Sequence, residues 1–109
     1  MDAEMAALSS RYAVAEMLLS GITTVLDMYY FEEVVAKVMD EMGIRGIAGE
    51  TVMETDSCDS ENTDQAIERG LALIAAYKDH PRVSGTLTPH GTTTCSPETL
   101  KRVYEEDVK

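Results

Sequence analysis

The sequence predicts an α/β fold of βα repeats with parallel strands, and three observations carry that prediction. Short β-branched, apolar runs alternate with stretches of helical spacing along the chain, in the order α-β-α-β-α-β-α. Gly21 and Gly43 stand where helix C-cap glycines belong, each directly ahead of one of those runs. Every connection between successive runs is long enough to hold a helix, and strands joined by helical crossovers pair in parallel with a right-handed hand.

The elements follow in order. Asp2 to Ser20 is rich in Ala, Leu, Met and Glu, with a rough helical stripe through Met5, Leu8, Tyr12, Ala15, Met17 and Leu19. Ile22 to Leu26 is the first strand and ends at Asp27; Phe31 to Met42 returns to helical spacing through Val34, Val35, Val38 and Met42. Ile44 to Gly49 is the second strand and ends at Glu50. Glu54 to Thr63 is polar and acidic and reads as a loop, with Ser60 or Thr63 placed to cap the next helix. That helix runs from Asp64 to about Asp79 and buries Ile67, Leu71, Ile74 and Ala75, and Pro81 ends the connection. Arg82 to Thr88 is the third strand. Pro89 to Ser96 is a loop, and Ser96-Pro97-Glu98 combines cap, N1 proline and early acid to open a last helix to about Asp107.

Composition narrows the function. A chain of 109 residues that is 44% hydrophobic holds one domain and has a core to bury. Twenty acidic against nine basic residues give a formal charge of −11, a field that repels phosphate backbones and excludes nucleic acid as the expected partner. No apolar run approaches the ~20 residues of a membrane span, and the start lacks the pattern of a signal peptide. The two cysteines, Cys58 and Cys95, make no disulfide framework and read as free thiols of a cytoplasmic, reducing compartment. Three strands make a small parallel sheet whose edges need covering, so the expected unit is one partial α/β segment over 1–109, completed by further copies or by the rest of a larger sheet.

Specific stretches sharpen this. Ala15-Glu-Met-Leu-Leu-Ser-Gly-Ile-Thr-Thr-Val-Leu-Asp-Met-Tyr29, Gly43-Ile-Arg-Gly-Ile-Ala-Gly-Glu50 and Thr88-Pro-His-Gly-Thr-Thr-Thr-Cys-Ser-Pro-Glu-Thr-Leu-Lys-Arg-Val103 together resemble the amidohydrolase superfamily. The resemblance is to its metal-dependent deaminases of S-adenosylhomocysteine, methylthioadenosine and related cyclic amidines. It implies a TIM-like (β/α)8 barrel, of which this chain would form strands two to four. It also implies C–N bond hydrolysis of a small nucleoside-like substrate with a divalent metal such as zinc or iron. In such enzymes the metal is held by a His-x-His pair on the first strand, histidines on the fifth and sixth, and an aspartate on the eighth. This sequence has only His80 and His90 and no His-x-His, so the chain alone is expected to hold no metal cofactor and to be inactive.

His90 is the candidate substrate-binding residue, directly after Pro89 at the C-terminal end of a strand, the edge where barrel active sites sit. The matching family histidine faces substrate. Asp27 and Glu50 also end strands in this reading and would share that rim, where two carboxylates serve acid–base or metal chemistry or, more often, cap the following helix or bind loop amides. His80 falls in the opposite connection and reads as a surface residue. Cys95 precedes a helix start without a partner histidine, which leaves no catalytic thiol. The loop Asp56-Ser-Cys-Asp-Ser-Glu61 lacks the spacing of a calcium loop, and Gly43-Ile-Arg-Gly46 is no phosphate loop. Some homocysteine-binding members have an arginine here for the substrate carboxylate, whereas this chain reads Asn62-Thr-Asp-Gln-Ala66 with Arg69 inside the helix. The competing reading is a self-standing α/β interaction or regulatory domain without catalysis.

Overall fold

A computed structural model describes residues 1–108. The elements are α1 (Ala3–Leu19), β1 (Thr24–Tyr29), α2 (Glu32–Met42), β2 (Arg45–Val52), α3 (Thr63–Ala76), β3 (Val83–Pro89) and α4 (Pro97–Asp107). The strands form one sheet in the order β1-β2-β3, and both pairings are parallel. The α/β architecture with parallel βα units is the one the sequence predicts.

Strand alternation divides the side chains between two faces. Val25, Asp27 and Tyr29 of β1 share a face with Gly46, Ala48, Glu50 and Val52 of β2 and Val83, Gly85 and Leu87 of β3, because Asp27 registers with Ala48, and Ala48 with Gly85. The helices pack on this face. Its core joins Val35, Val38 and Met39 of α2 to Ile44, Ala48 and Val83, and a second cluster joins Val52 and Leu87 to Ala66, Ile67 and Val103. Each of the larger side chains here (Val, Ile, Leu, Met), taken out of water, contributes roughly 1.5–3 kcal/mol, and each alanine less. On the other face, among the described residues, Leu26, Met28 and Ile47 are left 61%, 39% and 37% exposed. Ser84, Thr86 and Thr88 alternate onto that face as well.

Two glycines set how closely α3 approaches the sheet. A side-chain carbon on Gly85 would stand 2.7 Å from the Ile74 backbone nitrogen, and one on Gly70 would collide with the Leu87 side chain. The Gly85 clash is with helix backbone, which cannot rotate away. Gly85→Ala is therefore expected to destabilise the fold by about 2 kcal/mol, read as a lower urea midpoint; an unchanged midpoint would show that α3 shifts freely.

Several element ends differ from the sequence reading. β1 runs through Asp27 to Tyr29 and β2 through Glu50 to Val52, so neither carboxylate ends its strand. Both are polar residues on the helix-facing side, where their burial hides the strand's continuation from a hydropathy pattern. α3 is capped by Asn62, whose Oδ1 accepts the Gln65 N–H at 3.0 Å while Gln65 Oε1 accepts the Glu61 N–H at 2.6 Å, a variant of the capping box. Neither Ser60 nor Thr63 takes that place. The helix stops at Ala76, short of Asp79, and buries Ala66, Ile67, Gly70 and Leu73. α2 begins after Phe31, which is left-handed at φ 57° and has no side-chain cap.

Candidate functional site at the strand C-terminal rim

Three loops meet at the C-terminal ends of the strands: 30–31, 53–62 and 90–96. The ladder carries past β3, since the His90 N–H donates to Val52 O at 3.0 Å. Alternation puts His90 on the side of Thr88, the open face of the sheet. Its ring is exposed, and Nδ1 lies 2.9 Å from Thr94 Oγ1.

The His90 loop is fastened at both ends. Thr94 and Cys95 backbone N–H groups donate to Gly91 O at 3.1 and 2.9 Å, and the Glu54 N–H donates to Thr94 O at 2.9 Å. Glu54 Oε1 accepts the Ser96 N–H at 2.8 Å and the Thr99 hydroxyl at 2.6 Å, binding the start of α4 to the end of β2. Those donors, the Ser96 and Thr99 contacts, hold the Glu54 carboxyl down to about 2. The Cys95 thiol is buried and donates to Val52 O at 3.2 Å, a structural role in keeping with the sequence reading; Cys58 is exposed.

Glu50 and Asp27 point away from His90, toward the helices. Glu50 is 1% exposed and meets Arg69 of α3, Oε1 to Nε 3.2 Å. Arg69 Nη2 also reaches Glu33 at 2.7 Å and Asp59 at 3.4 Å, and Asp59 Oδ2 accepts the Phe31 N–H at 2.6 Å. One guanidinium thus ties the loop after β1 to the loop after β2. Burial raises the Glu50 carboxyl to about 7 against the pull of Arg69. Asp27, raised by burial and opposed by the Met28 N–H, lines a cleft of about 210 Å³ beneath α1 with Val25 and Tyr29. The three sequence candidates therefore lie toward one end of the sheet, but the strands send Asp27 and Glu50 to one face and His90 to the other.

Sequence reasoning missed Glu32. It is fully buried at the start of α2; among the described residues neither carboxylate oxygen has a well-formed hydrogen bond, and the Tyr29 backbone only partly offsets the burial. Burial first, then Asp27 and Glu50, push it up to about 9, so it is neutral at pH 7. His80 also departs from its surface reading. Its Nδ1 accepts the Val83 N–H at 2.9 Å and the Arg82 N–H at 3.3 Å, while Nε2 lies 3.1 Å from Asp40 Oδ1. It staples the turn into β3, far from the rim.

These residues do not make a metal centre. Among the described residues, no three His, Cys, Asp or Glu side chains are grouped so as to hold an ion. Nor, among them, is any helix long and apolar enough to cross a membrane.

Comparison with known proteins places this geometry. The chain is 34% identical over 97 residues to the 5-methylthioadenosine/S-adenosylhomocysteine deaminase of Thermodesulfovibrio yellowstonii, covering 89% of this chain and 22% of that protein. It is 36% identical to the 5'-deoxyadenosine deaminase of Methanosphaera stadtmanae, covering 92% of this chain and 24% of that one. In structure it is similar to a zinc-bound adenosine deaminase from Xanthomonas campestris, with a TM-score of 0.93 at 28% identity over 96% of this chain and 24% of the other. The chain thus spans about a quarter or less of the length of these relatives. The open three-stranded sheet is accordingly an incomplete barrel segment, and the amidohydrolase family profile matches residues 1–108. On these grounds the chain belongs to the amidohydrolase family.

Proposed function

We propose that these 109 residues are one partial unit of a metal-dependent deaminase acting on an adenosine-like substrate, and that the unit is inactive by itself. The observation that carries the reading is His90, on a ladder-anchored loop at the C-terminal rim and on the open face of the sheet, in a chain similar to nucleoside deaminases. The unit contributes scaffold and a hydrogen-bonding group for substrate. The remaining βα units cover Leu26, Met28 and Ile47 and bring the metal ligands; further copies of this chain could cover the same face but would add no ligands of that kind. The partner is a small-molecule substrate in a reducing, cytoplasmic compartment.

A segment swap tests this. The purified chain, supplied with zinc and 5'-methylthioadenosine, is expected to bind zinc weakly and release no ammonia. The same 97-residue stretch exchanged into the Thermodesulfovibrio enzyme is expected to preserve ammonia release within about tenfold. Tight stoichiometric zinc with turnover by the isolated chain would overturn its inactivity. A folded, zinc-loaded swap without turnover would overturn the deaminase reading.

A further inference from the structure

We propose that Thr94 is a positioning residue that holds the neutral His90 ring in one tautomer, with the proton on Nε2, so that the rim presents a donor to an acceptor atom of its ligand. Thr94 Oγ1 has one hydrogen and two candidate acceptors, His90 Nδ1 at 2.9 Å and Gly91 O at 3.3 Å. Gly91 O already accepts two backbone N–H groups, from Thr94 at 3.1 Å and Cys95 at 2.9 Å, which fill its two lone pairs. The hydroxyl proton therefore goes to the nearer, unsatisfied atom, Nδ1. A ring that accepts at Nδ1 carries its hydrogen on Nε2, and among the described residues Nε2 of His90 has no partner within the chain.

The loop geometry keeps this arrangement in place. The His90 N–H is fixed on Val52 O, and Glu54 holds both the Thr94 carbonyl and the Ser96 N–H, so the hydroxyl and the ring are set from opposite ends of one tight turn. The surroundings select the acceptor's charge as well. Glu54, Asp56 and Glu61 lie exposed on the rim loop 53–62, and Arg69 is committed to Glu33, Glu50 and Asp59 on the helix-facing side. A neutral acceptor, such as an aromatic ring nitrogen or a hydroxyl oxygen, meets His90 without the repulsion that a carboxylate would meet. The meaning for substrate rests on the deaminase reading, whereas the tautomer itself is a property of this chain.

The test is long-range proton–nitrogen NMR on the labelled 109-residue chain at alkaline pH, comparing the two histidines. His80 is an internal standard, because its Nδ1 accepts two backbone N–H groups whatever happens at residue 94. The wild-type chain is expected to show His90 wholly in the Nε2–H pattern. Thr94→Val is expected to move the His90 ring nitrogens toward tautomer-averaged shifts with His80 unmoved, and Thr94→Ser to restore them. An Nδ1–H or averaged pattern for His90 in the wild-type chain overturns the proposal without any variant. So does a Thr94→Val chain, shown folded by its His80 pattern, in which the His90 shifts stay put. Failure of the segment swap would sink the deaminase reading and leave this result standing.

Discussion

Replacing Glu32 by glutamine is expected to remove a loss of stability that the chain suffers as pH rises from about 4.5 to about 9. Glu32 is fully buried, with no well-formed hydrogen bond to either oxygen among the described residues, and burial and the Asp27 and Glu50 carboxylates raise its carboxyl to about 9 against the Tyr29 backbone. In the unfolded chain the same group ionises near its ordinary value of 4.5. Between those values the folded state holds a proton that the unfolded state has released. Stability is therefore full below about 4.5 and falls as pH rises, by up to about 1.4 kcal/mol per pH unit from this group, until the folded group ionises near 9. Glutamine has the same shape and no proton to release. Urea unfolding at pH 5, 6.5 and 8 is expected to show the glutamine variant gaining on the wild type at each step. Parallel curves for the two proteins would mean that Glu32 is ionised in the fold.

Arg69→Met is expected to cost about 3 kcal/mol at pH 8, the penalty of leaving buried carboxylates without their cation. The side chains of Glu50 and Asp59 are each 2% exposed, and Arg69 is the cation paired with both, although Asp59 also accepts the Phe31 N–H and the Ser57 hydroxyl. The sign of the pH dependence follows from Glu50, whose folded value of about 7 lies above its unfolded one. At pH 5 Glu50 is protonated with or without Arg69, and the variant's deficit is correspondingly smaller. Arg69→Lys is expected to recover only part of the loss, because a single ammonium cannot fork to Glu33, Glu50 and Asp59 together. A deficit independent of pH would show that Arg69 acts through packing alone.

These two sites mark where the sequence stopped being legible. The order of elements, the parallel pairing and the position of His90 were readable, because glycines at 21 and 43, the Ser96-Pro97-Glu98 start and the alternation of β-branched with helical runs are local signals. Asp27 and Glu50 misled: a carboxylate after an apolar run looks like a strand end, and only the register shows the strand continuing beneath a helix. Arg69, nineteen positions or more from either, was the available clue, a cation on the flank of α3 that also presents Ala66 and Leu73. Asn62 could have been found as a cap from the Gln three positions on. Glu32 left no such trace. Beside Glu33 at a helix start it looks like a favourable first-turn acid, and its burial is decided by packing of α2 on the sheet rather than by its neighbours in sequence. His80 was hidden for a similar reason, since its staple depends on Asp40, forty residues away.

In the proposed reading His90 stands inside a completed barrel as a group that meets substrate. The most direct test is the kcat/KM of the segment-swapped enzyme carrying His90→Ala, with zinc content measured in the same preparation. The expected result is a loss of about 100-fold in kcat/KM with zinc stoichiometry unchanged. An alanine variant that keeps both its zinc and its kcat/KM would contradict it.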